Sequence, residues 1–551
     1  MKRRNAIKGM AILPLTGGLL STKSEASLLD RITDLTGNTP EESMAPGTSF
    51  MNENNIFRSI GVEPVINCMG AYTIIGGSIE RPAVREAMDA AAHNFVQYDE
   101  LASGIGQKLA DLTGAEWGMV SAGCAAGLKH ITAACVTGGN PEKLIRIPDL
   151  RGFDKTEVII PRYSRTSYDH AIRNIGVTIV HVDSAEELEK AINPKTAMIY
   201  LMTSDTSATG QPLSLEVIAR IAKPKNIPVL VDAAAESLTI PPVHLKRGAT
   251  VVAYSGGKAM CGPQCAGLML GDKAILMSAW QASSPHHGPG RDNKVGREEM
   301  IGMLAAVQDW KQRDHAAEWS RWLGWLKTIE KKVSVISGIR TRIVEPEDLN
   351  NKYPVLHVMW DSSQLNMTGM DIAEELGRNK PRVALGAKDE AGGASSVNIT
   401  AGHMQAGEDK IVADRLYEVL SKKRGPKAVM AGPVANLTGR WDVDVKFLSS
   451  TSQHAFTLEQ DGNWLSGTHR GDLDIRNVNG TIDGNQVRLK SSIPLVGDTI
   501  NFLFSGTVTG DAFSGNIHLG EYLTATFKAT RNKAKSVREK VVIPGGPPLA
   551  T

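Results

Sequence analysis

The spacing of apolar positions divides the chain into stretches of different character. From residue 57 to about residue 260, short runs rich in Val, Ile and Leu alternate with amphipathic ones. The runs 117–121, 157–160, 177–182, 197–202, 228–231 and 249–254 are nearly unbroken, as expected of strands buried on both faces. Between them, 80–95, 104–112, 128–135, 168–175, 185–192 and 215–222 carry apolar residues at helical spacing. Regular alternation of strand and helix predicts a mainly parallel sheet with helices on both sides, an α/β domain over 57–300.

The pattern then changes. Residues 297–333 read as continuous helix, with Ala305, Ala306, Trp310, Trp319, Trp322 and Trp325 as a core-facing stripe. Strand-like runs at 341–344, 355–360 and 396–400, with helices at 371–376 and 409–420, predict a smaller α+β domain over 301–425. The basic run Lys422-Lys423-Arg424-Gly425-Pro426-Lys427 opens a linker, 426–436. Beyond it, Trp441-Asp442-Val443-Asp444-Val445-Lys446-Phe447 alternates strictly. Turn signals recur at Asp461-Gly462-Asn463, Asn479-Gly480, Asp483-Gly484-Asn485 and Thr509-Gly510-Asp511. About eight short strands joined by tight turns predict an antiparallel β-barrel or sandwich over 437–531, followed by a tail, 532–551. No catalytic grouping is apparent in that barrel.

Composition sharpens the picture at the ends and at the surface. The chain has 551 residues, too many for one core, and 42% of them are hydrophobic, enough to fill several. Net charge is +2, and no basic cluster with interleaved aromatics announces a nucleic-acid surface. The five cysteines (Cys68, Cys124, Cys135, Cys261, Cys265) have no zinc-ligand spacing and an odd count, so they read as small buried hydrophobes. Residues 1–27 read as an export signal. Arg3-Arg4-x-x-Ile7-Lys8 is twin-arginine-like, a short apolar run follows, and Ser24-Glu25-Ala26 is a small-residue cleavage site. The apolar run is too short for a transmembrane anchor, so a periplasmic or otherwise exported protein is expected, a basic start on a cytoplasmic enzyme being the alternative, and 28–56 reads as a polar linker or arm.

The chemistry centres on Lys258, within Tyr254-Ser255-Gly256-Gly257-Lys258-Ala259. A lysine among small residues follows a buried strand, and Asp232 ends another strand 26 positions earlier. That pairing fits pyridoxal 5'-phosphate: the lysine carries the cofactor as a Schiff base and shuttles protons, and the aspartate keeps the ring nitrogen protonated. Gly123-Cys124-Ala125, between strand and helix, can cradle the phosphate with backbone N–H groups, although an ordinary strand-to-helix bend has the same sequence. Ser255 and Gln264 can add polar contacts. The run 162–170 offers a ring-stacking partner, Tyr168 or His170, with His170 preferred, and the run Thr203-Ser204-Asp205-Thr206-Ser207 can place a hydroxyl near the ring oxygen. Adjacent His286 and His287 point apart on most backbones, and no metal is expected.

The lysine loop, Ser-Gly-x-Lys followed by Gly-Pro-Gln-x-Ala-Gly, resembles that of the selenocysteine synthase (seryl-tRNA selenium transferase) family. Within it the chain looks nearest to the D-glucosaminate-6-phosphate ammonia-lyase-type small-molecule relatives. The likeness continues in Val65-Ile66-Asn67-Cys68-Met69-Gly70, in Leu112-Thr113-Gly114-Ala115-Glu116 and in Gly290-Arg291-Asp292-Asn293-Lys294, and covers about residues 57–422. It implies the fold-type-I aminotransferase-like architecture and a homodimer or higher homo-oligomer. It also implies that Arg291 and Lys294 meet a substrate anion near a subunit boundary; a charged helix start would have the same composition. The C-terminal hairpins, after Leu437-Thr438-Gly439-Arg440-Trp441, look like small lipocalin-like barrels appended to exported enzymes. The expected activity is α,β-elimination from an amino acid or amino-sugar acid, with no nucleic-acid partner. Transamination is the alternative, and a selenium-transferase-like activity or a non-catalytic exported binding protein stands behind it. An export signal and linker occupy the place where that family carries a tRNA-binding domain.

Overall fold

The computed structural model describes residues 55–533 apart from 427, 496 and 497, together with Gly546. The expected export signal, nearly all of the arm and most of the tail lie outside the described residues. The chain divides into Met1–Pro64 and Val65–Thr551. In the first unit, one turn of helix, Ile56–Ser59, is capped by the Asn55 side chain, which accepts from the Phe57 N–H at 2.9 Å.

The second unit begins with β1 (Val65–Cys68), which joins the smaller sheet described below. The large sheet contains β2 (Trp117–Ser121), β3 (Glu157–Pro161), β4 (Thr178–Val182), β5 (Thr196–Met202), β6 (Val229–Asp232), β7 (Val251–Ser255) and β8 (Gly267–Gly271). Their order is β2-β8-β7-β6-β5-β3-β4. β8 runs antiparallel to both neighbours and the other pairings are parallel. Every residue of β2, β6 and β8 is buried, and β2 and β6 accordingly read as apolar runs. Sequence periodicity did not point to β8, because Gly267-Leu268-Met269-Leu270-Gly271 is short and bounded by glycine. The glycines are what let it fit: a Cβ on Gly267 would stand 2.5 Å from the Gly123 carbonyl carbon, and one on Gly271 2.2 Å from the Thr250 oxygen.

Two expected helices take a different form. The stretch 297–333 divides into Arg297–Gln312 and His315–Val333, since Asp314 accepts the Ala317 N–H at 2.9 Å and starts a new helix. The stretch 168–175 becomes a 3-10 turn, Ser167–Asp169, and a four-residue helix, His170–Arg173. Here local ion pairing dominates: Asp169 is buried and held by Arg165 and by Arg173, the latter at 2.8 Å.

The smaller sheet has β9 (Arg340–Val344), β10 (Val355–Asp361), β11 (Arg382–Asp389) and β12 (Ala394–Thr400), ordered β1-β11-β12-β10-β9. β1 therefore departs from a boundary drawn by sequence position, because it pairs in parallel with β11. Leu356, Val358 and Trp360 of β10 face a core completed by Leu326, Ile329 and Leu416 from helices. Of the tryptophan stripe, Trp322 and Trp325 pack against this core, and Trp310 donates to the Leu238 carbonyl at 2.8 Å.

The C-terminal strands are β13 (Gly439–Lys446), β14 (Thr451–Asp461), β15 (Trp464–Arg470), β16 (Ile475–Asp483), β17 (Gln486–Leu495), β18 (Asp498–Thr509), β19 (Ala512–His518) and β20 (Thr524–Arg531). They form a closed antiparallel barrel in sequential order, sealed by β13 against β20. Its core, including Trp441, Phe456, Phe504, Phe513 and Phe527, shares no side chain with the cores of the two sheets. Among the described residues no helix is long and apolar enough to cross a membrane.

Separate cores should behave as separate folding units. Deleting the residues after Pro426 is expected to leave the two-sheet body folded. In the full chain, Trp441→Ala is expected to destabilise the barrel by about 3–5 kcal/mol, because the ring is fully buried and its Nε1–H donates to Leu437 O at 2.8 Å. Calorimetry of both proteins checks this, and a mutant that shifts every transition equally would contradict it.

Candidate active site

All six parallel strands of the large sheet point the same way, so β2, β5, β6 and β7 deliver their carboxyl ends to one edge. Ligands of open α/β sheets collect at such edges. The pairings Ser121 with Gly267, Ser255 with Gly267 and Met202 with Asp232 fix which residues meet there. A cavity of about 710 Å³ opens at this edge, lined among others by Gly123, Cys124, Ala125, Tyr168, Thr203, Asp232, Ser255, Lys258 and Gln264.

Each wall has a local cause. After β2 the chain turns through Gly123, whose φ of 85° favours glycine, and the Ser121 hydroxyl donates to the Gly123 carbonyl at 2.8 Å. The helix Cys124–Thr137 begins there, with free first-turn N–H groups at the cavity wall. Ser255 ends β7, and the chain then folds back on itself. The Gly256 N–H donates to Ala266 O at 2.9 Å and the Cys261 N–H to Lys258 O at 2.9 Å. A Cβ on Gly257 would lie 2.7 Å from the Gln264 Cα, so this turn tolerates no side chain beside Lys258. Lys258 is half-buried at the cavity wall.

Asp232 ends β6 with 2% of its surface exposed. Its Oδ1 accepts from the Ala234 N–H at 3.0 Å and faces the Cys124 Sγ at 3.8 Å, and its Oδ2 accepts from the Tyr200 hydroxyl at 2.9 Å. Burial pushes the carboxyl above its ordinary range, opposed by the Ala234 and Tyr200 hydrogen bonds and by the charge of Lys258. Burial and the nearby Asp232 charge push the Cys124 thiol and the Tyr200 phenol well above their ordinary ranges, so both stay neutral.

The expected residues do not all converge. Lys258, Asp232, Gly123, Cys124, Ala125, Ser255 and Gln264 share the cavity. His170 does not line it; the buried Asp169 fixes the 3-10 turn so that Tyr168 reaches the cavity and His170 lies exposed in the next helix. Of the two stacking candidates, Tyr168 lines the cavity and His170 does not. Arg291 and Lys294 are exposed and line no part of this cavity; the Arg291 guanidinium meets the Ser284 hydroxyl at 3.4 Å.

The structure adds residues that sequence reasoning missed. Tyr200 carried no local signal: it meets the site because it lies on the same face of β5 as Met202, the residue paired with Asp232. Cys265, beside Gln264 in the lysine loop, also lines the cavity, and Thr73, Glu80, Glu299, Asn350 and Asn351 join it from positions remote in sequence from that loop.

These residues fit pyridoxal 5'-phosphate. An amine, a buried acid facing that amine's charge, and a positive-φ glycine turn at a helix N-terminus occur in one cavity. Lys258 would bond the cofactor, Asp232 would meet its ring nitrogen, and Gly123, Cys124, Ala125 and Ser255 would hold its phosphate.

Comparison with known proteins agrees. Residues 100–291 match the family described as Cys/Met metabolism PLP-dependent enzyme. The chain is 30% identical over 331 residues to D-glucosaminate-6-phosphate ammonia lyase of Salmonella typhimurium, covering 58% of this chain and 86% of that protein. It is 28% identical over 344 residues to 5'-C-glycyluridine monooxygenase-decarboxylase of a Streptomyces species, covering 60% and 83%. A solved structure of D-glucosaminate-6-phosphate ammonia-lyase superposes with a TM-score of 0.59 at 28% identity, covering 68% of this chain and 100% of that one. The two-sheet body thus has the fold-type-I architecture, with the closed barrel as a further domain.

Proposed function

We propose that this chain, which belongs to the pyridoxal-phosphate-dependent family that includes D-glucosaminate-6-phosphate ammonia lyase, carries out α,β-elimination on an amino acid or amino-sugar acid. For a β-hydroxy substrate the net change is R–CHOH–CH(NH3⁺)–COO⁻ to R–CH2–CO–COO⁻ plus ammonium, with one water leaving and one returning. The observation that carries the reading is the meeting of Lys258, Asp232 and the Gly123 turn in one cavity, in a chain similar to an ammonia lyase along most of that enzyme's length.

When bound, the cofactor supplies an electron sink for the charge left as the proton beside the amino group departs. The chain supplies the rest. The Lys258 amine takes that proton from the carbon bearing the nitrogen and returns one to the departing oxygen. The Asp232 carboxylate holds a proton on the ring nitrogen. The helix N-terminus at Gly123, Cys124 and Ala125 fixes the phosphate end, so that the reacting carbon stays beside Lys258. Glu80, Glu299, Asn350 and Asn351 give the remaining wall acceptors for substrate hydroxyl or ammonium groups.

The test is a product balance. Purified protein with β-hydroxy amino acids and amino-sugar acids is expected to release ammonia and keto acid one to one, with no added amino acceptor. A reaction that proceeds only with a keto-acid acceptor would be transamination and would overturn the reading. The Streptomyces relative supports a second reading, and oxygen-dependent carbon dioxide release in the same assay would favour it.

A further inference from the structure

Tyr200 lies in the middle of β5, fully buried and surrounded by strands that are otherwise apolar. A leucine or phenylalanine would fill such a position without a polar group to satisfy. A phenol is tolerated there because its hydroxyl has a partner, and that partner is Asp232 Oδ2 at 2.9 Å. Register brings the two together: Met202 pairs with Asp232, and Tyr200 sits two residues back on the same face of the sheet. The other oxygen accepts from the Ala234 N–H and faces the Cys124 thiol. With a protein donor on each oxygen, the carboxylate is held against rotation and keeps lone pairs for a donor in the cavity.

We infer that Tyr200 is a positioning residue that holds the Asp232 carboxylate oriented and ionised for the cofactor's ring nitrogen. The groups that face this pair from neighbouring elements are Cys124 from the helix after β2, Lys258 from the turn after β7, and Asp169, whose charge reaches Tyr200. Lys258 and the hydrogen-bond donors favour the ionised carboxylate, and burial opposes them. Removing the Tyr200 donor therefore shifts the balance toward a neutral acid, which cannot keep a positive ring nitrogen. The inference rests on the cofactor assignment and not on the elimination reading, so a holoenzyme that released no ammonia would leave it standing.

Tyr200→Phe in the full-length holoenzyme tests it. One hydrogen bond to a charged group is worth roughly a tenfold to hundredfold change in equilibrium. The variant is expected to bind added pyridoxal 5'-phosphate about tenfold or more weakly. The pH midpoint of the bound cofactor's visible absorption, measured without substrate, should rise by about one unit, because a neutral ring nitrogen withdraws fewer electrons from the group joined to Lys258. A lowered melting temperature with both quantities unchanged would mean that Tyr200 only fills space, and would overturn the inference. If phenylalanine prevents folding, Tyr200→3-fluorotyrosine keeps the ring and strengthens the donor. The midpoint must then fall, and an unmoved midpoint overturns the inference.

Discussion

Lys258→Ala is expected to abolish the bound cofactor's visible absorption and to lower turnover by about four orders of magnitude or more. In the proposed mechanism the lysine supplies both the covalent link to the cofactor and the group that moves the proton at the reacting carbon, so one substitution would remove two functions that reinforce each other. The fold should survive. The side chain lines the cavity instead of filling a core, and the turn around it is held by backbone hydrogen bonds from Gly256 and Cys261. Spectroscopy, turnover and thermal melting on one preparation separate these effects. Wild-type turnover in the variant would remove Lys258 from the mechanism, and a collapsed melting transition would assign it a structural role instead.

The ease with which Lys258 and Asp232 were found, against the difficulty with Tyr200, His170 and Arg291, reflects how each residue is placed. Asp232 breaks an unbroken apolar strand, and Lys258 breaks a run of small residues, so each stands out from its neighbours in the chain. Tyr200 stands out from nothing, because tyrosine is a common strand residue and its value depends on the register of β5 against β6. His170 and Tyr168 are two positions apart, and which of them reaches the cavity was decided by Asp169, whose buried ion pairs turn the segment into a 3-10 bend. That is a tertiary cause with no periodic signature. Arg291 and Lys294 entered through resemblance alone, and within one chain they line no part of the cavity.

The fold follows the same rule. Strands with strong local pattern, such as β5, β6 and the alternating barrel strands, were legible from spacing. β8 and β11 were not. β8 is five residues between glycines, and its strand state comes from pairing with β2 and β7 on either side. β1 was not read as a strand either: its residues entered only through the family resemblance, and its partner β11 lies more than 300 residues away, a pairing no local signal reports. The division of the long helical stretch at Asp314 is an intermediate case: aspartate is a strong helix-capping residue, but an apolar stripe running through 305–325 masks the break.

Asp232→Asn is expected to slow turnover by about a hundredfold to a thousandfold while leaving the fold intact. The amide is nearly isosteric and can still accept from the Ala234 N–H, so the strand end keeps its shape. It carries no charge, so a positive ring nitrogen loses its partner and the electron sink weakens. The stability of the cofactor-free protein should move the other way. Burial raises the Asp232 carboxyl above its unfolded value, so the unfolded chain releases this proton at lower pH than the folded one. Wild-type stability therefore carries a penalty that is absent in acid and grows as pH rises through the ordinary carboxyl range. The asparagine variant lacks that penalty and should melt at the same temperature or higher near neutrality, with the difference closing as pH falls. Denaturation of both apoproteins across that range, beside the turnover measurement, checks the two halves together. Near wild-type turnover would reduce Asp232 to a strand cap. Equal stability at every pH would mean that its buried charge is fully compensated by Tyr200, Ala234 and Lys258.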